Sequence, residues 1–251
     1  MKLAVATILL VTLASCASAQ SLRVIPTYNS GAMLVCGEMK VFLDTVFRNH
    51  PRYQSPDAAT IAAMEKDVAP YDGPLVILAS HNHADHYDEK LVAAVLAANR
   101  QAQLVGTSQI AGRLADRFPG QVRVMGGGAT WTEAGIEVRF LIVPHAGERW
   151  ADLENTGHLI RMCGQTVFHP GDAGEAMVIE RAPKGQPPID VGLIPFWFLS
   201  SPRESPLVGK VMNPKRIWAL HGDVKDLDWI PEVQKRYPAA AIPSFFLRQA
   251  K

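Results

Sequence analysis

The chain has 251 residues, of which 48% are hydrophobic and 20% charged, and its formal net charge is +1. A chain of this length and composition buries a substantial core, and no repeat, charge block or low-complexity tract indicates a second module. The near-neutral charge and the separation of Lys and Arg from aromatic residues argue against a nucleic-acid partner.

The first nineteen residues have the organisation of a signal peptide. Lys2 precedes an apolar stretch over residues 3–13, and Ala17-Ser18-Ala19 is a small-x-small site of the kind that signal peptidase cuts. The apolar stretch is too short to span a membrane. We therefore predict an exported protein, periplasmic or secreted, whose mature chain is a single domain over residues 20–251.

An overlapping motif offers a second route to the cell envelope. The tetrad Leu13-Ala14-Ser15-Cys16 resembles a bacterial lipobox, in which Cys16 is lipidated and becomes the first residue of the mature chain. Cleavage after Ala19 is the preferred interpretation because that site is well formed, and a lipid anchor at Cys16 is the alternative.

Hydrophobic periodicity and turn residues predict an alternating series of strands and helices. In the first half these are strands around Arg23–Thr27 and Met33–Leu43, helix Asp57–Asp67, strand Leu75–Ala79, helix Asp88–Arg100, strand Gln103–Val105, helix Gln109–Arg117, and strands near Val122–Met125 and Ile136–Val143. In the second half they are a hairpin over His158–Val167, a short helix near Glu175–Arg181, strands Val191–Pro195 and Ile217–Leu220, helix Trp229–Tyr237 and a last strand Ala241–Leu247. This order predicts an α/β (α+β) domain in which two sheets pack together with helices outside.

Four metal-type ligands fall within six residues after strand Leu75–Ala79: His81, His83, Asp85 and His86. The three imidazoles repel one another when protonated, and all four groups are costly to desolvate. A bound metal ion removes that conflict. In extended backbone His81 and His83 point the same way and can reach one ion, while Asp85 and His86 turn away towards a second.

Single ligand-type residues recur further along the chain. His145, Asp172 and His221 each follow a predicted strand and each precede Gly or Ala, which we expect to leave room for an ion or ligand near the backbone. Together with Asp44 at the end of an earlier strand, their order resembles the five motifs of the metallo-β-lactamase-fold hydrolase superfamily. The resemblance covers nearly all of the chain after residue 30.

The resemblance implies an αββα four-layer sandwich that forms a metallo-hydrolase domain. It also implies two divalent ions held by seven side chains, three on the first ion, three on the second and one bridging them: His81, His83 and His145; Asp85, His86 and His221; and Asp172. Asp44 would support the ligand turn through hydrogen bonds without binding metal.

This ligand set predicts the chemistry. Imidazole and carboxylate ligands suit zinc, iron and manganese alike, and two zinc ions are the first expectation. Two such ions would lower the pKa of a bridging water so that a hydroxide attacks the substrate near neutral pH. Asp85 is the candidate to orient that hydroxide and carry its proton. We therefore predict hydrolysis of a small-molecule ester, lactone or phosphodiester.

The branch of the superfamily and two other functions are open at this stage. The Gly171-Asp172 context resembles the lactonases and the phospholipase-D-type enzymes of N-acyl phosphatidylethanolamines more closely than the true β-lactamases, which lack the bridging carboxylate. One alternative is a sulfur or persulfide dioxygenase with a single iron, as in some relatives of this scaffold. The other is a non-catalytic metal-binding protein.

Two cysteines occupy matching places in the chain. Cys36 and Cys163 lie at the turns of two predicted hairpins whose second strands lead to Asp44 and Asp172. Disulfides persist in oxidising compartments, which suits an exported protein. Turns in two different sheets need not lie within the ~7 Å Cα separation that a disulfide tolerates, so the sequence leaves this pairing open.

The remaining histidines and one aromatic run are interpreted mainly as structural. His50 is predicted in a solvated loop and His169 is predicted to be packed, while His158 either lies in a strand or faces the site. The run Phe196-Trp197-Phe198 is predicted to be a buried strand. In the alternative interpretation it lines the pocket, with Arg203 as an anion clamp.

Overall fold

The computed structural model describes residues 20–174, 187–203 and 205–247. The predicted signal peptide, Cys16 and the predicted helix at Glu175–Arg181 lie outside the described residues. Within the described ranges, no helix is long and apolar enough to cross a lipid bilayer.

Twelve strands form two six-stranded sheets. The first sheet has the order β1-β2-β3-β4-β5-β6, with bounds Arg23–Thr27, Gly31–Cys36, Met39–Leu43, Leu75–Leu78, Ala102–Gly106 and Val122–Val124. The second has the order β12-β11-β10-β9-β8-β7, and in chain order β7 to β12 span Thr130–Glu133, Ile136–Ile142, Thr156–Met162, Gln165–His169, Val191–Pro195 and Arg216–Leu220.

Seven α-helices lie in the described ranges. In chain order α1 to α7 span Ala58–Glu65, Glu89–Ala98, Ser108–Ala115, Phe196–Ser200, Ser205–Leu207, Trp229–Arg236 and Ser244–Leu247. A 3₁₀ turn covers Glu148–Trp150 and a π-helical turn covers Val208–Met212. Asp57 and Asp88 are the N-cap residues of α1 and α2, because each carboxylate accepts a hydrogen bond of 2.7 Å from a backbone NH of the first turn.

Three apolar interfaces separate four layers. In β3, Phe42 packs with α1, α2 and α3, whereas Val41 and Leu43 pack between the sheets. In β8, Phe140 faces the inter-sheet core and Leu141 faces α4, α6 and α7. Alternate strand residues therefore point to opposite faces, and both faces of each sheet are covered. This confirms the predicted αββα sandwich.

Strand direction determines where the site lies. β3 and β4 are parallel neighbours, and β10, β11 and β12 are parallel in the second sheet. β8 is antiparallel to β9, which is antiparallel to β10, so β8 runs in the same direction as β10. The carboxyl ends of β3, β4, β8, β10 and β12 therefore meet at one end of the sandwich.

The opposite end of the sandwich is crosslinked. Cys36, the last residue of β2, and Cys163, in the turn from β9 to β10, form a disulfide with their Cα atoms 6.2 Å apart. The sequence does not decide this pairing, because it does not say how the two hairpins align. Face-to-face stacking of the sheets places the two turns together.

Three features differ from the prediction. The predicted last strand at Ala241–Leu247 is wrong. Within this range only Ala241 makes a β-bridge, to Trp218, and α7 begins at Ser244. The predicted buried strand at Phe196–Phe198 is wrong, because these residues form α4. Strand β7 was not predicted. Its sequence Thr-Trp-Thr-Glu is short and mostly exposed, and it is held by pairing with β8.

Candidate metal centre

The turn after β4 carries four of the predicted ligands and leads into α2. The backbone NH groups of His86 and Tyr87 donate to the carbonyl oxygen of His83 at 3.0 and 2.9 Å, which folds the segment back on itself. His81, Asp85 and His86 are buried in this turn, and His83 is half-buried. The turn lies at the end of the sandwich where β8, β10 and β12 also end.

One cluster of ligand atoms comprises His81, His83, His145 and Asp172, all within 4.8 Å of one another. Nε2 of His81 lies 2.9 Å from Nδ1 of His83, and Nε2 of His145 lies 3.6 Å from Oδ2 of Asp172. Nδ1 of His145 donates to the carbonyl oxygen of Ala146 at 2.7 Å, so its Nε2 lone pair faces the cluster.

The second cluster comprises Asp85, His86 and His221. Nε2 of His86 lies 3.2 Å from Nε2 of His221. Oδ2 of Asp85 lies 3.4 and 3.5 Å from these two nitrogens. Between them the two clusters contain the seven side chains that the sequence singled out, and Asp172, which was predicted to bridge, is grouped with the first.

Asp172 faces both clusters. Its Oδ2 lies 2.9 Å from Nε2 of His221, 3.6 Å from His145 and 3.8 Å from His81. Its Oδ1 lies 3.4 Å from Nε2 of His86. This is the position of a carboxylate able to contact a cation on either side.

Asp44 supports the ligand turn. Its Oδ1 accepts a hydrogen bond from the backbone NH of Ser80 at 2.6 Å, and its Oδ2 accepts one from the Ser80 hydroxyl at 2.7 Å. Nδ1 of His86 lies 2.9 Å from Oδ2 of Asp44. A carboxylate at Nδ1 holds a proton there, so Nε2 is the nitrogen of His86 that faces the second cluster. The contacts agree with the supporting role that the resemblance implies.

Two residues before β2 position ligands and were not predicted. Asn29 donates through Nδ2 to Oδ2 of Asp85 at 2.9 Å, and its carbonyl oxygen accepts from the backbone NH of His221 at 2.9 Å. The hydroxyl of Ser30 lies 3.1 Å from Nδ1 of His86. In the sequence Asn29-Ser30 is indistinguishable from an ordinary turn, because its partners are distant along the chain.

Asn155 performs the same task for the loop that carries Asp172. Its Oδ1 accepts from the backbone NH of Asp172 at 3.0 Å, and its Nδ2 donates to the carbonyl oxygens of Val143 and Pro170 at 3.0 and 3.2 Å. It therefore links the ends of β8 and β10. Only a polar residue at the start of β9 marks it in the sequence.

The glycines beside the ligands have a different purpose from the one predicted. A Cβ on Gly171 would lie 2.3 Å from Oδ1 of Asn155, and a Cβ on Gly222 would lie 2.5 Å from the ring of Trp229. The space next to Asp172 and His221 is thus filled by protein side chains. The expectation that the residue after a predicted ligand leaves room for an ion or ligand is therefore wrong at Gly222.

Burial and neighbouring charges set the protonation of the ligands. Burial lowers the pKa of His81, His83 and His145, so these imidazoles are neutral and offer lone pairs. Burial would raise the pKa of Asp172, but His221 and His86 outweigh it and hold that pKa well below its ordinary value. Burial would likewise lower the pKa of His86, but nearby carboxylates, chiefly Asp172, raise it well above its ordinary value.

The donor atoms fit divalent cations. Neutral imidazoles and ionised carboxylates are the ligands that zinc, manganese and iron take in proteins. In the described part of the chain, Nε2 of His145 and Oδ1 of Asp172 are buried without a hydrogen-bond partner. An orphaned buried polar atom costs about 1–3 kcal/mol, which coordination would relieve.

The three other histidines have distinct surroundings. His169 is packed as predicted, because its Nε2 donates to the carbonyl oxygen of Ser30 at 3.0 Å and its Nδ1 accepts from Gly171 at 3.1 Å. His158 lies in β9, fully buried against Phe140. His50 lies in a loop as predicted, but it stacks on Tyr53 at 4.9 Å and lines a cavity above the clusters.

Aromatic residues surround the clusters. The rings of Tyr53 and Trp197 lie 5.0 and 4.9 Å from the ring of His221, and the ring of Trp150 lies 4.4 Å from that of His83.

Phe196 and Trp197 line a cavity of about 260 Å³ beside His221, as the alternative interpretation expected, whereas Phe198 is buried in the core. Arg203 is exposed and lines neither this cavity nor the one above the clusters. Two other arginines, Arg52 and Arg149, line the cavity above the clusters.

Comparison with known proteins identifies the family. The family model described as "Beta-lactamase superfamily domain" matches residues 35–217. A metal-dependent hydrolase of Pyrobaculum calidifontis is 26% identical over 198 residues, which cover 77% of this chain and 80% of that protein.

Two solved structures share the fold. A metallo hydrolase of Ignicoccus hospitalis has a TM-score of 0.62 at 14% identity and covers 88% of this chain and 94% of its own. A metallo-β-lactamase fold protein of Bacillus subtilis has a TM-score of 0.56 at 12% identity, with 86% and 88% covered. At these identities the likeness shows the fold alone. With the family match over residues 35–217, the chain belongs to the β-lactamase superfamily domain family and is a metal-dependent hydrolase.

Proposed function

We propose that the protein is an exported dinuclear hydrolase that cleaves a small ester, lactone or phosphodiester. The observation that carries the proposal is the pair of ligand clusters with Asp172 between them. His81, His83 and His145 would hold one divalent ion and Asp85, His86 and His221 the other. When bound, two such ions supply a hydroxide nucleophile near neutral pH and polarise the carbonyl or phosphoryl oxygen of the substrate.

Asp85 is the proposed proton carrier. Its carboxylate lines the cavity above the clusters, and its Oδ2 accepts a hydrogen bond from Asn29. Burial would raise its pKa, but His86 and His221 keep it below the ordinary value, so the carboxylate is ionised and its oxygens are acceptors. Asn29 holds Oδ2 in place while the carboxylate keeps access to the cavity.

The position of Asp172 supports the lactone and phosphoester chemistry of the branch that the sequence resembles. A carboxylate with one oxygen towards His86 and the other towards His145 and His221 suits a close pair of ions. Zinc is the proposed metal, because imidazoles predominate among the proposed ligands.

The predicted signal peptide is the basis of the proposal of export, and the Cys36–Cys163 disulfide supports it, because such bonds persist in oxidising compartments. Intact-mass analysis of protein recovered from the cell envelope distinguishes cleavage before Gln20 from lipidation at Cys16. A full-length chain that retains Lys2 and remains in the cytoplasm contradicts export.

Metal stoichiometry tests the dinuclear site. Elemental analysis of purified protein is expected to give two equivalents in the wild type and one in His145→Ala or His221→Ala, because each variant removes a ligand from one cluster only. His158→Leu is the matched control, since it removes a buried histidine outside both clusters, and it is expected to retain two equivalents. One equivalent in the wild type contradicts the proposal.

Turnover tests the reaction class. Metal-loaded wild type is assayed on chromogenic esters, a lactone and bis(4-nitrophenyl) phosphate, with Asp85→Asn as the variant that keeps its shape but cannot accept the proton. We expect turnover of at least one class and a loss of about a hundredfold or more in Asp85→Asn. Metal-replete protein that turns over none of these substrates contradicts hydrolysis of these bonds.

A further inference from the structure

A cavity of about 360 Å³ opens onto both ligand clusters. This volume is at the small end of ligand sites in proteins. Besides ligand residues, its walls contain two arginine–aromatic pairs, Arg52–Tyr53 and Arg149–Trp150. None of these four residues follows from the superfamily motifs of the sequence.

Each pair stands beside one cluster. The ring of Trp150 lies edge-on to His83 at 4.4 Å, and the guanidinium of Arg149 lies 4.8 Å from the centroid of the same ring. On the other side, the ring of Tyr53 lies 5.0 Å from His221, and the guanidinium of Arg52 lies 5.6 Å from its centroid. Both aromatic rings therefore contact a ligand histidine and an arginine.

The two arginines differ in their charge partners. Nε of Arg52 donates to Oδ2 of Asp223 at 3.0 Å, so its charge is matched within the protein. Over residues 20–174, 187–203 and 205–247, Arg149 forms no ion pair with a carboxylate. Arg149 is also exposed, on the 3₁₀ turn Glu148–Trp150 that follows His145. It is thus a cation at the mouth of the cavity without a described counter-ion.

A guanidinium in contact with an aromatic ring is preorganised for an anion. The ring restrains the plane of the group, and the NH edge remains free to form two parallel bonds to a carboxylate or phosphate. Restraint before binding reduces the entropy lost on binding. A neutral substrate gains nothing from this arrangement.

We propose that the substrate is a small anion, with a carboxylate or phosphate group separate from the bond that is cleaved, and that Arg149 binds this group while Trp150 packs against the adjoining apolar part. This inference rests on the proposed hydrolase function of the same site. Arg52 is a secondary contact, because Asp223 already engages it.

Matched probes test the binding step without chemistry. N-benzylsuccinamic acid carries a carboxylate, and N-benzylsuccinamide is its neutral isostere. Calorimetric titration of the metal-loaded wild type is expected to show at least tenfold tighter binding of the acid. Benzyl phosphate against benzyl alcohol is the phosphate arm, and the larger of the two preferences identifies the anion.

Three variants test the assignment to Arg149. Arg149→Gln is expected to reduce the acid-to-amide affinity ratio to about one. Asp223→Asn is expected to raise the affinity for the acid severalfold, because it releases Arg52. Arg161→Gln is the control, since it changes an exposed arginine at the disulfide end of the sandwich, and it should leave the ratio unchanged.

Failure of this inference is distinguishable from failure of the proposed function. If the wild type hydrolyses neutral 4-nitrophenyl butyrate but binds neither anion at least threefold more tightly than its isostere, the function stands and the inference is overturned. A preference that persists in Arg149→Gln also overturns it. A preference lost in Arg149→Gln, in protein that turns over no substrate, supports the anion site and counts against hydrolysis.

Discussion

The β2–β3 hairpin and the β9–β10 hairpin share one plan but end in carboxylates with different surroundings. Each has a disulfide-bonded cysteine at its turn and an aspartate beyond its second strand, Asp44 or Asp172. Both oxygens of Asp44 accept hydrogen bonds from the turn that begins at Ser80. Oδ1 of Asp172 has no hydrogen-bond partner in the described part of the chain.

This difference indicates how equivalent positions acquire different roles. A carboxylate whose lone pairs are filled by protein donors positions its neighbours, whereas one whose lone pairs remain open is available to a cation. Asp44 therefore orients His86, and Asp172 is the proposed bridging ligand. The comparison predicts effects of different size for corresponding substitutions.

Asp172→Ala is expected to have the largest effect on metal content and turnover. Among the described residues Asp172 is the proposed ligand that faces both clusters, so metal content should fall and kcat/KM should drop by about a thousandfold, or about 4 kcal/mol of transition-state stabilisation. Elemental analysis and turnover of the best chromogenic substrate provide the measurements. A variant that holds two ions and stays within tenfold of the wild type would show that Asp172 does not bridge.

Loss of the crosslink between the two hairpin turns should have an effect of comparable size, but on the free energy of unfolding alone. The disulfide closes a loop with a sequence separation of 127, for which the chain-entropy model gives about 4–5 kcal/mol. Urea denaturation of Cys36→Ser/Cys163→Ser is expected to show this loss while metal content is unchanged. Reductant should shift the midpoint of the wild type but not that of the double variant; equal midpoints for both proteins would contradict a stabilising bond.

Asp44→Asn should weaken metal binding about tenfold to a hundredfold. The asparagine oxygen can still accept from the backbone NH of Ser80, but its amide nitrogen cannot accept from the Ser80 hydroxyl or hold the proton on Nδ1 of His86. Chelator competition measures the affinity. Ser80→Ala is the milder comparison: it removes the hydroxyl's bond to Asp44 and its contact of 3.0 Å with Nδ1 of His81, but it keeps the carboxylate. An effect larger than that of Asp172→Ala would reverse the comparison.

The smallest effect concerns the buried histidine of the second hairpin. Burial lowers the pKa of His158 to about 3, against about 6.5 in an unfolded chain. Below pH 6.5 the unfolded state therefore binds a proton that the folded state does not bind, and the free energy of unfolding falls by up to about 1.4 kcal/mol per pH unit. Burial would raise the pKa of Asp44, but His86 and His169 hold it well below its ordinary value. The stability that Asp44 contributes is therefore lost only as pH falls below about 3.9, so the range from pH 4 to 6.5 reports on histidines.

His158→Leu is expected to reduce the slope of the free energy of unfolding against pH by the amount that corresponds to one bound proton. In the described residues neither ring nitrogen of His158 has a hydrogen-bond partner, so an apolar replacement leaves nothing unsatisfied and should not destabilise the protein at pH 7.5. Urea denaturation of chelator-treated protein at pH 4.5, 6 and 7.5 measures the slope, with metal release removed from the comparison. An unchanged slope would mean that His158 is protonated when folded.

Much of the site was predictable because its ligands follow strands in a fixed order. His81, His83, Asp85 and His86 are adjacent in the chain, and their chemistry is visible without any fold. His145, Asp172 and His221 were predictable through the order that the superfamily shares. Asn29, Asn155 and Arg149 were not, because each is an ordinary residue until the fold places it beside a ligand.

The secondary-structure elements likewise fall into those that local sequence patterns predict and those that depend on tertiary packing. The strand Leu75–Leu78 was predictable because its run of apolar residues is buried. The helix Glu89–Ala98 was predictable because its apolar residues recur at the helical period and form the buried face. The aromatic run at Phe196 was misread because aromatic residues favour strands locally. Its actual helix is determined by packing of Phe198 and Leu199 against α6 and α7 in the outer core.

The sequence by itself determined the alternation of strands and helices, the ligand types and their order, because these depend on local periodicity and on side-chain chemistry. The tertiary structure alone decided that Cys36 meets Cys163, that Asp44 is satisfied while Asp172 is open, and that Arg149 stands over Trp150 at the mouth of the cavity. These outcomes depend on how two sheets align face to face, and that alignment is set by the summed packing of many apolar side chains between them.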